Sequence, residues 1–518
     1  MLIDDKGLSL VFSHNISGET HPCGCRHFPL GGLPQVAGAL KNISDKNKLI
    51  YVDTGDTFFP SSKLPQSLEK SFTYAANNLA LGLEKLGLNF YLPGDQDFAR
   101  GLKFLQVLAN NSKFQFLLTN LKNEKLLKHK RFIHLKSGPS EIFLLGVVDP
   151  DILLGEEKNL FWPPEIGLSK VMPEIKKEGY DSKNPLHRLV VLSHSGINQD
   201  YELAKKFPYI DWIIGAHDQS FTKSPLLEGN TKVVQALSRN HYLGHIFFDF
   251  KGGKSKDHFE LIKVGKNLGK KLNPNPFYEF IKSHKIKMRE LQRLEQSEII
   301  VTPSNLPPFD PPSSCIECHE KQGEHWKKTA HSLAYLTLIK QKEEKNLNCL
   351  SCHTMGLNKK RGHYKSQNLV NFKDPPMNKK NPLDERIRKR TPKEISDFKK
   401  TYWKEIEDSF QGIKSVRGLG KKEKLKSINT WLKIDQKYKI THNFTGVQCL
   451  NCHSLHLDHP FEETKIVDKK LKTKCLNCHN SYQSPNWYQV KSNGLPGNLD
   501  EKKFEKALRA ISCPKGMN

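Results

Sequence analysis

The stretch CIECH at residues 315–319 is the first of four copies of one pattern in this chain of 518 residues. The other copies are CLSCH at 349–353, CLNCH at 449–453 and CLNCH at 475–479. Each copy places two cysteines three positions apart and a histidine directly after the second cysteine. Eight of the 11 cysteines lie in these copies, so the pattern decides how this part of the chain folds.

The spacing matches covalent attachment of c-type haem. Two thiols three positions apart can add to the two vinyl groups of one haem, while the adjacent histidine binds the iron. The alternative is zinc, because four Cys-x-x-Cys pairs could build two sites of four thiolates. Zinc needs no histidine after every pair, so we interpret the copies as four haem sites. The predicted haem-binding residues are Cys315, Cys318, His319, Cys349, Cys352, His353, Cys449, Cys452, His453, Cys475, Cys478 and His479.

The chain is strongly basic, with 81 Lys and Arg against 55 Asp and Glu and a formal net charge of +26. Much of the excess lies after residue 300, where haem propionates would offset it. We interpret the lysine-rich stretches as solvated surface, with an acidic redox partner as the alternative, and we expect no nucleic acid partner. No apolar run is long enough to predict a transmembrane segment. Because c-type haem is attached outside the cytoplasmic membrane, we expect a periplasmic protein with an export signal upstream of these residues.

Residues 1–265 alternate short apolar runs with amphipathic stretches, which predicts an α/β domain. The predicted strands are 8–13, 49–53, 90–92, 116–119, 142–148, 189–193, 212–215, 233–236 and 246–250, and the predicted helices are 68–86, 98–110 and 200–206. A helix and a proline-rich stretch form a predicted linker over residues 266–313. The haem motifs define a mainly α, haem-organised domain over residues 314–500, with a lysine-rich insert at about 359–440. Residues 501–518 form a C-terminal tail.

Five blocks of the first domain resemble the metallophosphoesterase domain of periplasmic 5'-nucleotidases. They are SHNISG at 13–18, VDTGD at 52–56, LPGDQDF at 92–98, LSH at 192–194 and IIGAHDQ at 213–219. The resemblance implies a four-layer α/β/β/α sandwich with two metal ions held by loops at strand ends. It also implies that Asp56, Asp95, His194 and His217 form the second metal site. Two carboxylates and two imidazoles suit one divalent ion such as zinc, manganese or iron.

The sequence departs from the family pattern at the first metal site. The family's opening Asp-x-His stands here as Asn15 and Ser17, and the second histidine of its last block is Gln219, so we predict that the first site is lost. Gln96 replaces the histidine that protonates the leaving group in the family, and glutamine is a poor proton donor. We therefore expect a one-metal or empty site with little hydrolytic activity. The alternatives are an active phosphate-ester or nucleotide hydrolase, a module that binds a phosphate-containing ligand, or ordinary hydrogen-bonded histidines at the ligand positions.

Cys23-Gly24-Cys25 lies where the first metal-binding loop of the family ends. Two thiols this close can form a readily reduced disulfide or bind a metal. A Cys-Gly-Cys recurs in relatives that join this domain to haems, sometimes with selenocysteine, so the resemblance implies a redox role for Cys23 and Cys25. The alternative is that Cys23 and Cys25 form a structural disulfide or are thiols without a function. We assign no role to Cys513.

The second domain resembles the tetrahaem cytochromes c of nitrifying bacteria, which pass electrons from a periplasmic oxidoreductase to its acceptor. The matching residues outside the motifs are Trp326, His331, Gly446-Val447-Gln448 and Ser484-Pro485-Asn486. The resemblance implies that His331 and His459 are distal iron ligands, and His363, His442 and His456 are further candidates. We predict an electron-transfer protein that works between periplasmic redox donor and acceptor proteins and carries four covalently attached haems.

Overall fold

The computed structural model describes residues 7–22, 30–137, 140–218, 221–249, 256–299, 308–372, 391–453, 471–481, 483–490 and 496–514. The chain divides into two compact units, residues 1–288 with 489–497, and residues 289–488 with 498–518. The predicted site residues Cys23, Cys25, His456 and His459, together with Gln219, lie outside the described residues. Within the described ranges, none of the helices has the length and apolar character needed to cross a membrane.

The described part of the first unit contains two six-stranded mixed sheets, five helices and the start of a sixth. The strands are β1 Leu8–Ser13, β2 Lys48–Asp53, β3 Leu88–Tyr91, β4 Gln115–Phe116, β5 Phe132–Ser137, β6 Ser140–Val148, β7 His187–His194, β8 Trp212–Gly215, β9 Leu226–Glu228, β10 Thr231–Val234, β11 Tyr242–Asp249 and β12 Lys256–Lys263. The helices are α1 Leu33–Ser44, α2 Glu69–Lys85, α3 Gly101–Asn111, α4 Pro164–Lys177, α5 Ile197–Lys206 and α6 Phe277–Glu298. The strand orders are β12-β11-β1-β2-β3-β4 and β5-β6-β7-β8-β10-β9.

The two sheets pack face to face, and helices cover their outer faces. Along β6 and β7, Leu144 and Leu192 point into the core shared with the first sheet, whereas Phe143 and Val191 point into a separate core with α4 and α5. Both faces of these strands are therefore buried, as expected for parallel strands between two apolar layers. Helices α1 and α2 contact β2 and β3 of the first sheet. The predicted α/β/β/α order is confirmed.

Most predicted strands match observed ones to within a few residues, but α1, α4, β5, β9 and β12 were not predicted. Helix α1 has a proline, Pro34, as its second residue and contains Gly38, where a Cβ would lie 1.8 Å from the carbonyl oxygen of Leu268. Glycine has a low helix propensity, so the sequence pattern does not predict this helix. The close contact with Leu268 leaves no room for a side chain at Gly38. The first unit also continues past residue 265, because Phe277 and Ile281 of α6 belong to its core.

The second unit is mainly helical, as predicted. Its helices are α7 Pro312–Ile316, α8 Glu320–Lys327, α9 Ala334–Gln341, α10 Leu347–His353, α11 Pro392–Ser409, α12 Lys421–Lys437, α13 Cys449–Cys452, α14 Leu471–Cys478 and α15 Glu501–Ile511. Two short strands of this unit are β13 Val370–Phe372 and β14 Ile440–Asn443, whereas β15 Tyr488–Val490 and β16 Pro496–Leu499 contain the unit boundaries after residues 488 and 497. Strands β13 and β14 pair in antiparallel fashion.

The lysine-rich insert supplies much of the side-chain core of this unit, although we expected porphyrins to replace such a core. Ile428, Trp431 and Ile434 form the buried stripe of α12, and Tyr402 of α11 packs beside them. A polar network crosses this core. The Tyr402 hydroxyl donates to Asp435 Oδ1 at 2.7 Å, and Asn443 Nδ2 donates to Asp435 Oδ2 at 2.9 Å.

The network continues to the third haem motif. Gln448 Nε2 donates to the carbonyl oxygens of Asn443 and Thr445, the latter at 2.9 Å, and Gln448 directly precedes Cys449. The insert is therefore packed and hydrogen-bonded to the chain that carries the motif.

Candidate metal and haem sites

The four predicted metal ligands lie at the carboxyl ends of parallel strands in both sheets. Asp56 follows β2, Asp95 follows β3, His194 ends β7 and His217 follows β8. Parallel strands end at one edge of a sheet, so loops distant in sequence meet there. Asp56 and His217 have φ values of 56° and 85°, a left-handed conformation that is uncommon outside glycine and recurs at functional sites. One ligand atom from each of the four residues lies within 4.8 Å of the others.

The carboxylates and imidazoles are in direct contact. His194 Nε2 lies 3.3 Å from Asp56 Oδ1 and 3.4 Å from Asp95 Oδ1, and His217 Nδ1 lies 2.9 Å from Asp95 Oδ1. Asp56 and His194 are fully buried, whereas the His217 side chain is 34% exposed and gives the site an opening. Despite burial, the two imidazoles hold the pKa of Asp95 well below its usual range.

The orientation of His194 fits a metal ligand. Its Nδ1–H donates to the carbonyl oxygen of Thr54 at 2.6 Å, which leaves a lone pair on Nε2. Nε2 is buried and makes no hydrogen bond, and it faces the two carboxylate oxygens. A lone pair beside two carboxylates is unfavourable unless a cation or proton lies among them. Burial alone would lower the pKa of His194. The carboxylates of Asp56 and Asp95 outweigh this effect and raise the pKa of His194 well above its usual value.

Asn15 and Ser17, which stand where we predict that the first metal site is lost, lie beside this cluster and make hydrogen bonds. Asn15 Nδ2 donates to Asp56 Oδ2 at 3.0 Å and to the carbonyl oxygen of His217 at 3.2 Å. The amide therefore contacts the Asp56 oxygen that does not face His194. Ser17 Oγ donates to the backbone oxygen of Asn15 at 3.3 Å. The described residues thus provide one four-ligand set, and the loss of the first site stays a prediction.

Further polar residues support the ligands. Ser62 Oγ donates to Asp95 Oδ2 at 2.8 Å, and the backbone N–H of Gln96 donates to Asp56 Oδ1 at 2.9 Å. Asp97 is buried and accepts the backbone N–H groups of Thr57, Phe58 and Gly94. Sequence reasoning missed Asp97 and Ser62. Asp97 lies inside a recognised block, but no sequence signal singled out Ser62.

Gly94 leaves room for the ligands. A Cβ at this position would lie 2.4 Å from both Asp56 Oδ1 and His194 Cε1. We expect Gly94→Ala to displace these ligands and lower metal affinity on the order of 10-fold or more. Gly265→Ala is the matched control, because a Cβ there meets nothing within 4 Å. Metal content after dialysis, measured by elemental analysis, checks this expectation, and equal content in both variants would contradict it.

Asp200 is a buried acid beside the end of β8. Burial raises its pKa to about 8, against 3.8 for an ordinary aspartate, despite hydrogen bonds with Ser193 and Gln235. The folded chain therefore binds a proton that the unfolded chain releases, so stability falls as pH rises from about 4 to about 8. We expect Asp200→Asn to be increasingly stabilising, relative to the parent, as pH rises through this window. Thermal unfolding followed by circular dichroism measures this difference, and a difference independent of pH would contradict the expectation.

The haem motifs are adjacent in space in an order that differs from their order in sequence. Cys315 of the first motif hydrogen-bonds with Cys449 of the third, which lowers the pKa of Cys315 to about 7. Cys352 of the second motif hydrogen-bonds with Cys478 of the fourth, which lowers the pKa of Cys352 to about 6. The first and third copies therefore lie together, as do the second and fourth.

The histidines that follow the motifs occupy helix ends. His319 precedes α8, His353 ends α10, His453 follows α13 and His479 follows α14. His353 Nδ1–H donates to the carbonyl oxygen of Ala334 at 2.6 Å, so its Nε2 is available to an iron. His479 Nδ1 lies 2.7 Å from Ser484 Oγ, and burial lowers the pKa of His479 to about 4, which keeps the ring neutral.

His331 lies beside two of these histidines. Its ring centre is 6.1 Å from that of His479, and burial together with His353 lowers its pKa. The backbone holds this segment against the third motif, because Val447 N–H donates to the carbonyl oxygen of His331 at 2.9 Å. Trp326 Nε1 donates to the carbonyl oxygen of Val447 at 2.8 Å.

The other two candidate distal ligands have different surroundings. His363 is buried, contacts Thr354 Oγ1 through Nε2 at 3.0 Å and stacks on Phe444. His442 is half-buried in β14 and contacts its neighbour Thr441 at 3.2 Å. Their ligation stays a prediction.

Comparison with known proteins gives separate results for the two regions. Residues 314–374 match the family model of cytochrome c554 and c-prime. Protein 5NUC of Lutzomyia longipalpis is 26% identical over 203 residues, which cover 37% of this chain and 33% of that protein. The 5'-nucleotidase of Mus musculus is 24% identical over 262 residues, which cover 45% of this chain and 43% of that protein. The chain thus spans less than half the length of these relatives.

Solved structures with a similar fold include two from Thermus thermophilus. The sulfate thiohydrolase SoxB has a TM-score of 0.45 at 15% identity, covering 56% of this chain and 62% of that chain. A 5'-nucleotidase precursor has a TM-score of 0.45 at 17% identity, covering 57% and 61%. In sequence, the chain thus joins a 5'-nucleotidase-like metallophosphoesterase domain to a C-terminal region whose residues 314–374 match the cytochrome c554 and c-prime family model.

Proposed function

We propose that this protein is an exported tetrahaem cytochrome that transfers electrons, fused to a 5'-nucleotidase-like domain that holds one divalent metal and hydrolyses phosphate esters poorly. The observation that carries the electron-transfer function is the orientation of His353. The Nδ1–H of His353 donates a hydrogen bond to the carbonyl oxygen of Ala334, which leaves Nε2 available to bind iron. The four Cys-x-x-Cys-His copies extend this interpretation to four haems.

Two observations support the weak hydrolysis. The Asn15 amide donates to the Asp56 oxygen that does not face His194, and an amide N–H cannot activate water as a second cation does. Gln96 stands at the position of the family's proton donor and offers no acidic proton. The four remaining ligands suit one divalent ion, which would act as a Lewis acid when bound.

The basic surface of α12 and the proposed export of the protein indicate the kind of partner protein that it meets. Lys421, Lys422, Lys426, Lys433 and Lys437 are exposed on α12, opposite its buried stripe. A basic helix of this kind favours an acidic redox donor or acceptor protein, and such an encounter weakens as salt rises. The redox role of Cys23 and Cys25 stays part of the proposal.

The test uses the full chain exported and matured with haem. Haem is quantified as the pyridine haemochrome, and we expect four haems per chain that are all reversibly reduced. One or two haems, or zinc in place of iron, would contradict the cytochrome function. Hydrolysis of a generic phosphate ester is then assayed with zinc, manganese and iron. Efficient turnover that disappears in Asp56→Ala would contradict the weak-hydrolysis part.

A further inference from the structure

The four-ligand site contains two carboxylates, from Asp56 and Asp95, beside two imidazoles that must be neutral to bind metal. One divalent cation would be balanced by Asp56 and Asp95. The loaded site would therefore have no net positive charge with which to attract an anion.

The surroundings add no cation. The hydrogen-bond partners of the ligands are Asn15, Thr54, Ser62 and the backbone of Gln96. Within the described ranges, none of the hydrogen-bond or ion-pair partners of the four ligands is Lys or Arg. A further acidic residue adjoins the site, because the backbone N–H of Asp149 donates to the carbonyl oxygen of His194 at 3.1 Å. A phosphate group carries up to two negative charges near neutral pH and would meet carboxylates without a counter-charge.

A second observation indicates what the site can accept. Gln96 Oε1 is buried and has no hydrogen-bond partner, and the backbone of the same residue is bonded to Asp56. An unpaired buried acceptor is costly, so a ligand with an N–H or O–H group would be favoured there. His194 Nε2 is likewise buried without a hydrogen bond. A cation would satisfy His194 Nε2, and a hydrogen-bond donor would satisfy Gln96 Oε1.

We infer that the loaded site binds a small uncharged hydroxyl compound and rejects phosphate. The hydroxyl oxygen would face the cation and the hydroxyl hydrogen would face Gln96. This inference rests on the proposed function only in requiring one divalent ion at the four ligands.

The experiment uses the haem-loaded full chain with Mn²⁺, whose unpaired electrons shorten the relaxation of nuclei near the bound ion. Site occupancy is first measured by the loss of the free Mn²⁺ signal in room-temperature electron paramagnetic resonance. Relaxation of ³¹P in inorganic phosphate and of ¹H in methanol is then compared with that in His194→Ala, which corrects for the haem irons. We expect enhanced relaxation for methanol and none for phosphate.

Two variants measure how the negative charge of the site affects its affinity for phosphate. Asp95→Asn should raise phosphate affinity at least about tenfold by removing one negative charge. Asp149→Asn should raise it several-fold and leaves all four ligands in place. Glu202→Gln is the control, because it removes a charge from the exposed end of α5 and should change nothing.

The possible results separate the two proposals. Absence of Mn²⁺ binding would contradict the metal centre of the proposed function and this inference with it. Mn²⁺ binding with strong phosphate relaxation in the parent protein would overturn the inference alone. Relaxation of neither probe would overturn the assignment of a hydroxyl ligand. No change in phosphate affinity in Asp149→Asn, with Mn²⁺ still bound, would overturn the electrostatic cause.

Discussion

Replacing His194 with alanine should lower the affinity of the first unit for divalent metal on the order of 100-fold or more. His194 is fully buried, and its Nε2 lies 3.3 and 3.4 Å from the carboxylates of Asp56 and Asp95. No described side chain can replace this lone pair without moving a strand end. Elemental analysis of the dialysed, haem-loaded protein should show about one metal beyond the haem irons in the parent, and none in the variant.

His245→Ala is the matched control for this prediction. His245 is also a buried histidine of the first unit, but it contacts Ser9 Oγ and Glu260 at 2.9 Å and lies in β11, outside the four-ligand set. It should keep the full metal content. A parent-like metal content in His194→Ala would show that the ion binds elsewhere.

Replacing His331 with alanine should convert one haem of four from low-spin to high-spin. Two imidazoles on opposite sides of one iron have ring centres roughly 6 Å apart, because each metal–nitrogen bond is about 2 Å long. The ring centres of His331 and His479 are 6.1 Å apart. We therefore expect His331 to be the distal ligand of the haem attached by the fourth motif. Electron paramagnetic resonance and visible spectra of the oxidised protein measure the spin state.

The haem count distinguishes ligand loss from haem loss. The thioether bonds do not depend on His331, so the pyridine haemochrome should be unchanged in the variant. His258→Ala, in the first unit, should leave both measurements unchanged. Spectra identical to those of the parent would exclude His331 as a ligand, and a matching change in His442→Ala would point to β14 instead.

The family resemblance located the four candidate metal ligands, which lie in the loops after β2, β3 and β8 and at the end of β7. Val52-Asp53, Tyr91-Leu92 and Leu192-Ser193 mark the strand ends, and parallel pairing then brings the following side chains together. Family resemblance supplied the roles of the ligands. Physical patterning alone would have left His194 as an ordinary histidine, because its bond to Thr54 joins positions 140 residues apart.

The core of the second unit could not be predicted for a different reason. Helix α12 contains Ile428, Trp431 and Ile434 at helical spacing, but six lysines in 17 residues obscure the stripe. Tyr402 and Asp435 also look like surface residues in the sequence. Their burial follows from pairing α11 with α12, which is a tertiary contact that no local pattern encodes.

The lysine-rich insert also has a consequence for the attachment of haem to this protein. Tyr402, Trp431 and their neighbours form a packed core from side chains alone, and its polar network reaches Gln448, immediately before Cys449. We expect such a core to begin to assemble before haem is attached, because it is built from apolar side chains. The attachment machinery would then meet the third motif on a partly ordered scaffold. Point mutations in the insert should consequently be detected as defective maturation rather than as altered electron transfer.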